Sequence, residues 1–291
     1  MSSLASPLIS VYVPTRNRRE QMQRAVQSVL EQTYPSFEVV VVDDASSDDT
    51  ADCLAQWATR EPRLRWFRQD VPSGAPAARN RAIREARGQF VTGLDDDDVF
   101  LPERLAAFAQ AWGTLIPDGQ PAFLYAQTKL LQARGETFSN RPPQLTWSAL
   151  CKGNCVGNQI YAPRELFLSV GGYREGLPAW QDLDLWLTLL GAGAVGRLVD
   201  QVTMVVDSRP RADRITRQDR ARIEFARDEV LARHGPALNH SQRRDLYLQA
   251  LGRHYGFRLR WPDVMGAWRL DPSYGTVRRL LSIAWRVIRG R

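Results

Sequence analysis

Four consecutive carboxylates, Asp95, Asp96, Asp97 and Asp98, follow an apolar run at 90–94. Neighbouring ionised carboxylates repel one another and raise one another's pKa values unless a cation neutralises them. A hard divalent ion such as Mg2+ or Mn2+, held by one or two carboxylates and completed by phosphate oxygens, is the usual solution at diphosphate sites. A second acidic pair, Asp43-Asp44, ends the apolar run at 37–42. It lacks the glycine and terminal glutamate of a calcium loop, but suits an acceptor for a base or ribose at a strand end, with Ser47 or Asp48 capping the helix behind it. A third cluster runs from Gly74 through Ala75, Pro76, Ala77 and Ala78 to Arg79 and Asn80. Small residues there let the backbone approach a ligand, and the arginine can pair with phosphate or base carbonyls.

The elements that must position these groups alternate. Strands are expected at 8–13, 37–42, 64–67 and 90–94, with helices at about 19–30, 50–60 and 76–87, the last closed by Gly88. The four consecutive valines at 39–42 are apolar on both faces, as a buried parallel strand requires. Strand–helix alternation at this spacing predicts a doubly wound α/β layer, in which ligands bind outside the carboxyl ends of the strands. All three polar clusters fall on that edge, and this placement favours a ligand site over a solvated acidic turn ahead of a helix at 102–112. Further strands are expected at 123–131 and 159–162 and helices at 164–170 and 181–190; beyond 207 the pattern turns helical and basic, with helices at 214–233, 241–255 and 274–289. No G-x-G-x-x-G follows the first strand and no G-x4-G-K-[ST] occurs, so dinucleotide and P-loop sites are excluded. Cys53, Cys151 and Cys155 form no disulfide framework, and the C-x3-C spacing lacks histidines placed as zinc partners, since His234, His240 and His254 lie far downstream.

In this order the clusters resemble the inverting family 2 glycosyltransferases of GT-A fold. The resemblance covers about residues 7–206 and rests on SVYVPTRN at 10–17, SVLEQTY at 28–34, FEVVVVDD at 37–44, Gly74 to Arg79-Asn80, the four aspartates followed by Leu101-Pro102, Gly171-Gly172-Tyr173, and WQDLDLW at 180–186. It implies an α/β fold with a Rossmann-like, mixed but mostly parallel sheet flanked by helices and a helical C-terminal extension. It also implies roles. Pro14, Thr15, Arg16 and Asp44 would line the nucleotide base pocket, and Arg79 would reach the base or diphosphate. Asp95 and Asp97 match the DxD pair, as ribose-side carboxylate and metal ligand, Asp96 being its variable middle position. Asp182 matches the catalytic base, although Gln181 stands where a Glu is frequent. Outside the resemblance, Asp182 reads as a carboxylate favoured by a helix N-terminus.

The 291 residues carry a formal net charge of +7, and its distribution is uneven. Residues 1–206 hold 20 basic and 23 acidic side chains, residues 207–291 hold 19 and 9, so a catalytic domain at 1–206 and a basic helical region at 207–291 are expected. No apolar run approaches the ~20 residues needed to cross a bilayer, and the first residues lack a signal-peptide pattern, which predicts a cytoplasmic chain. The Q-x-x-R-W signature of processive synthases is absent, since Phe257 precedes Arg260-Trp261 where Gln would stand. The last helix places Val277, Leu280, Leu281, Ile283, Ala284, Trp285, Val287 and Ile288 on one arc and arginines on the other. That pattern suits either an anionic membrane surface, on the inner face of the cytoplasmic membrane, or docking on the core. Nucleic acid is not expected as a partner, because Tyr247, Tyr255 and Phe257 are too scattered to interleave with the basic face.

The expectation is therefore a Mn2+- or Mg2+-dependent inverting transferase. It would move one sugar from a nucleotide-diphosphate donor (UDP first, dTDP or GDP as alternatives) to a glycan or lipid-linked acceptor, as in lipopolysaccharide or O-antigen assembly. A sugar-phosphate nucleotidyltransferase and an inactive nucleotide-sugar-binding scaffold are the alternatives.

Overall fold

The computed structural model describes residues 6–117, 119–133, 135–209, 219–252, 255 and 257–289. Its first half is the alternation expected: β1 (Ile9–Thr15), α1 (Arg19–Leu30), β2 (Phe37–Asp43), α2 (Thr50–Ala58), β3 (Leu64–Arg68), α3 (Ala75–Glu85) and β4 (Phe90–Gly93). β1 and β2 are buried along their whole length, which is why valines can occupy successive positions of β2. α1 turns Met22, Ala25, Val26 and Val29 into the sheet. The N-cap of α2 is Asp49, whose side chain makes no cap bond; of the two residues expected there, Asp48 accepts from the Thr50 N–H at 3.1 Å, whereas the Ser47 N–H donates to Asn17.

The chain continues through β5 (Asp98–Phe100), α4 (Arg104–Leu115), β6 (Ala122–Gln132), β7 (Gly135–Phe138), α5 (Trp147–Lys152), β8 (Tyr161–Pro163), α6 (Arg164–Ser169), α7 (Gln181–Gly191) and β9 (Val195–Asp207). The sheet order is β3-β2-β1-β4-β8-β6-β9-β5, with β7 pairing β6. β3-β2-β1-β4 and β6-β9 are parallel and carry the longer ladders, while β8, β7 and β5 pair antiparallel. The sheet is thus mixed, with its parallel half at the N-terminal side.

Helices α8 (Arg220–His234), α9 (His240–Gln249), α10 (Trp261–Leu270) and α11 (Tyr274–Arg289) complete the chain. Residues 214–218 of the helix expected at 214–233, and His254, lie outside the described residues, whereas the helix expected to reach 255 stops at Gln249, where the chain turns at Ala250 and Leu251. Ile223, Ala226 and Val230 of α8 and Leu246 of α9 share one buried cluster with Trp180, Leu183 and Leu187, so the basic region packs against α7. A separate cluster joins Leu248, Leu251, Ala267, Leu280 and Ile283, and through it α11 docks on α9 and α10.

Candidate active site

The ends of β1 and β2 are tied together, since the Asp44 N–H donates to Thr15 O at 2.9 Å. Beyond them Asn17 accepts from Ser47 N–H at 2.7 Å and its own N–H donates to Ser46 Oγ at 2.9 Å. Asp44 is buried and accepts from Gln69 Nε2, Ser73 N–H and Gly74 N–H at 2.7, 2.7 and 2.9 Å. Its carboxylate therefore shapes the loop that opens α3, with Gly74 at φ +87° making the turn. Pro14 is buried within β1 and Arg16 is exposed just past its end.

The four aspartates do not act as one acidic patch, because the β4–β5 turn sends them in different directions. Asp96 points inward, where its carboxylate accepts from Thr15 Oγ1 at 2.9 Å and Arg18 at 3.0 Å. Burial raises its pKa to about 6, against the opposing pull of Arg18 and Thr15. Asp96 thus braces the β1–α1 loop. Asp95 accepts from Arg79 at 2.7 Å, Asn158 Nδ2 at 2.6 Å and Gln159 Nε2 at 3.0 Å. Asp98 is buried 3.3 Å from Asn158 Nδ2, and Asp97 retains partial exposure with Arg18 at 3.9 Å. Gly93 is obligatory here: a Cβ would collide with Gln159 Oε1 and the Tyr12 ring.

Arg79 lies over the Tyr173 ring, 5.2 Å from its centroid, while pairing with Asp95. Desolvation disfavours its charge, but Asp95, Tyr173 and Tyr12 more than offset that and raise its pKa. The next residue, Asn80, clasps the Tyr173 backbone on both sides, donating to its carbonyl and accepting from its N–H at 2.8 Å each. Gly172, at φ +71°, makes room for that clasp, since a Cβ there would strike Asn80 Oδ1. This contact accounts for Arg79-Asn80 and Gly171-Gly172-Tyr173 being parts of one site.

Asp182 stands in the first turn of α7, after Trp180 in the left-handed region at φ 62°. Its carboxylate accepts from Asn154 Nδ2 at 2.7 Å and from the Leu183 N–H at 2.8 Å. Its pKa is raised, chiefly by burial; the Leu183 N–H and Arg79 oppose the rise and Asp95 adds to it. Asp182 therefore lies close enough to the Arg79–Asp95 pair for both charges to act on it. The link runs through the 154–159 loop, where Asn154 holds Asp182 while Asn158 and Gln159 hold Asp95. Sequence reasoning missed these three as site residues, reading the segment for its C-x3-C spacing and for a strand at 159–162; three carboxamides within six residues, just ahead of a strand, were the available signal. Of the residues anticipated, Arg79, Asp95 and Asp182 converge, Asp97 sits beside them, and Thr15, Asp44 and Asp96 organise the loops.

Known proteins similar to this chain include glycosyltransferases. Residues 10–119 match the model of glycosyl transferase family 2. WcaA of Escherichia coli K12, named as a glycosyl transferase of colanic acid biosynthesis, is 35% identical over 210 residues, 69% of this chain and 72% of WcaA. TuaG of Bacillus subtilis, named as a glycosyltransferase of teichuronic acid biosynthesis, is 31% identical over 64% of this chain and 73% of its own. Among solved structures, Staphylococcus aureus TarS with UDP-GlcNAc superposes with a TM-score of 0.65 at 20% identity over 94% of this chain and 79% of that one. The mannosyltransferase PcManGT of Pyrobaculum calidifontis, with GDP-Man and Mn2+, gives 0.62 at 20% identity over 98% and 81%. A GT-A sheet carrying a strand-end carboxylate site, joined to sequence identity along most of two glycosyltransferases, places this chain in glycosyltransferase family 2.

Proposed function

We propose that the enzyme transfers one sugar from a nucleoside-diphosphate sugar to a hydroxyl of a glycan or lipid-linked acceptor, with inversion, in the assembly of a cell-surface polysaccharide. The observation that carries the reading is the placement of Asp182, a half-buried carboxylate of raised pKa facing the Arg79–Asp95 pair across one loop. A general base is most effective when its pKa moves toward the working pH. Asp182 would take the proton of the acceptor hydroxyl as that oxygen attacks the anomeric carbon and the nucleoside diphosphate departs from the opposite face. Arg79, its charge secured by Asp95, would meet the negative charge growing on the leaving group. Asp44, Thr15 and Arg16 would border the base and Asp95 the ribose, with Pro14 and Asp96 shaping that wall.

Asp97 and Asp95 offer hard oxygen donors that fit Mn2+ or Mg2+. Among the described residues no group of three His, Cys, Asp or Glu surrounds a common point, which suits an ion completed by diphosphate oxygens and water. Once bound, such an ion supplies charge neutralisation at the diphosphate. The names of WcaA and TuaG support a surface-polysaccharide setting, and the ligands of TarS and PcManGT support UDP- or GDP-sugars among the donors to test, with dTDP-sugars beside them.

Asp182→Asn should lower transfer by about 10²–10⁴-fold while leaving donor affinity nearly intact. Loss of donor affinity in parallel with turnover would remove Asp182 as the base. Thermal-shift titration with UDP-, dTDP- and GDP-sugars and Mn2+ identifies the donor for that assay.

A further inference from the structure

Half of the large apolar side chains left exposed among the described residues lie on α10 and α11. The apolar residues of α11 divide into two stripes. Thr276, Leu280 and Ile283 are buried on the docked side, the latter two against Leu248, Leu251 and Ala267. Tyr274, Val277, Leu281 and Trp285, spaced by three and four residues, form the other stripe and are 81%, 39%, 64% and 55% exposed. The helix is thus docked on the core and apolar toward the outside at once, so the two uses left open by its sequence are compatible. Beside it α10 exposes Trp261 and Trp268, seven residues apart on one side of the helix.

Charge narrows the identity of what covers this surface. Between residues 258 and 285 the only acidic side chains are Asp263 and Asp271, both buried and paired with Arg220 and Arg244. Arg260 pairs with Glu224, while Arg258, Arg269 and Arg278 are exposed, so the outward charge of the segment is basic. Exposed tryptophan, tyrosine and leucine flanked by arginine are what an anionic lipid interface accommodates. A second copy would bring two basic faces together, which like-charge repulsion opposes. Among the described residues no helix is long and apolar enough to cross a membrane.

We infer that α11, with α10 beside it, lies on an anionic lipid surface, the Tyr274–Leu281–Trp285 stripe entering the headgroup boundary and the arginines contacting lipid phosphates. This contact requires nothing of the sugar-transfer reading. It does connect to the site: α11 docks on α9, and Gln249 of α9 donates to the carbonyls of Leu150 and Cys151, just ahead of Asn154.

The test is co-sedimentation of the full chain with vesicles of phosphatidylcholine with or without phosphatidylglycerol. Anionic vesicles should bind at least about tenfold more tightly, release the protein as salt rises, and shift its tryptophan emission to shorter wavelength. Leu281→Asp with Tyr274→Ser should lower binding at least tenfold with an unchanged melting temperature. Arg269→Gln with Arg278→Gln, which leaves every apolar contact in place, should lower it by about fivefold per arginine on anionic vesicles alone. Equal binding to both vesicle types, or full binding by both variants, overturns the inference. So does a lipid-free dimer that Leu281→Asp dissociates, or tighter binding to duplex DNA than to anionic vesicles.

Discussion

Asn154→Ala isolates the loop that joins Asp182, the proposed base, to Asp95. The Asn154 side chain donates to Asp182 Oδ2 at 2.7 Å and to Gly157 O at 3.1 Å, and accepts from the N–H groups of Val156 and Gly157. The bond to Asp182 favours the ionised carboxylate, so its removal moves the Asp182 pKa further up. A hydrogen bond to a charged group contributes about 1.5–3 kcal/mol, and because Asp182 is half-buried, water replaces part of it, leaving about 1.5 kcal/mol. Well below the acid limb of the pH–rate profile, the ionised fraction and with it kcat/KM then fall about tenfold. Well above the limb the two enzymes converge, apart from any loss of base alignment. The sign follows from the chemistry: the base works when deprotonated, so activity appears as pH rises through its pKa, and a higher pKa delays it. Nucleoside-diphosphate release measured across pH reads the profile directly. Asn154→Asp keeps the acceptor oxygens of the turn but sets a like charge against Asp182, and should move the limb at least as far. An acid limb that stays in place in both variants, or a loss of the same size at every pH, refutes the assignment of Asn154 as a positioning residue for the base.

Gly172→Ala should destabilise the chain by about 2–3 kcal/mol, about 1–2 from the left-handed backbone at φ +71° and about 1 from the displaced Asn80–Tyr173 hydrogen bond. Calorimetry should find a melting temperature roughly 4–12 °C lower, and a drop under about 2 °C would mean the clasp relaxes without cost. Asp96 carries a pH signature of the opposite kind to a surface salt bridge. Its pKa is raised to about 6 in the folded chain from near 3.9 unfolded, so its contribution is fully present below about pH 4 and is lost as pH rises through about 6. Asp96→Asn should remove that decline, on the order of 3 kcal/mol, and urea melts of the variant that keep the wild-type slope between pH 4 and 6 would contradict the inward placement.

Much of the N-terminal half was legible because its signals are local. Four valines name a buried strand, carboxylates at strand ends name a ligand edge, and Gly74 before Pro76 names a turn into a helix. The remainder was hidden by length or by mixed polarity. β5 is three residues, too short for a period, and its pairing with β9 depends on residues more than a hundred positions away. β9 itself runs thirteen residues, but Arg197, Asp200 and Gln201 break its apolar pattern, and the facing β6 shifts register at Ala126, Gln127 and Thr128. α10 has Pro262 in its first turn, where proline is tolerated, and Gly266 in its middle, which lowers helix propensity but lets the Tyr247 side chain pack close. The inward turn of Asp96 was illegible for a different reason: four identical residues carry no pattern that says which one faces the core.

The backbone marks the site independently of its charges. Among the described residues, three that are not glycine adopt positive φ: Asn17 at 52°, Ala45 at 55° and Trp180 at 62°. Each stands at the border of a segment already assigned, after Thr15-Arg16, after Asp43-Asp44, and before Gln181-Asp182. Such conformations cost of order 1 kcal/mol or more apiece and persist only where surrounding contacts over-determine them. Asn17 is held by Ser46 and Ser47, and Ala45 by the Asx-type turn in which the Ser46 N–H donates to Asp43. Trp180 is held from the basic region: its Nε1–H donates to Tyr255 Oη at 2.7 Å, and one turn along α7 the buried Asp184 meets Arg233 and His234 of α8 at 2.7 and 2.9 Å. The strained turn that presents Asp182 is therefore fastened by residues beyond 207, so the basic C-terminal helices help fix the position of that carboxylate.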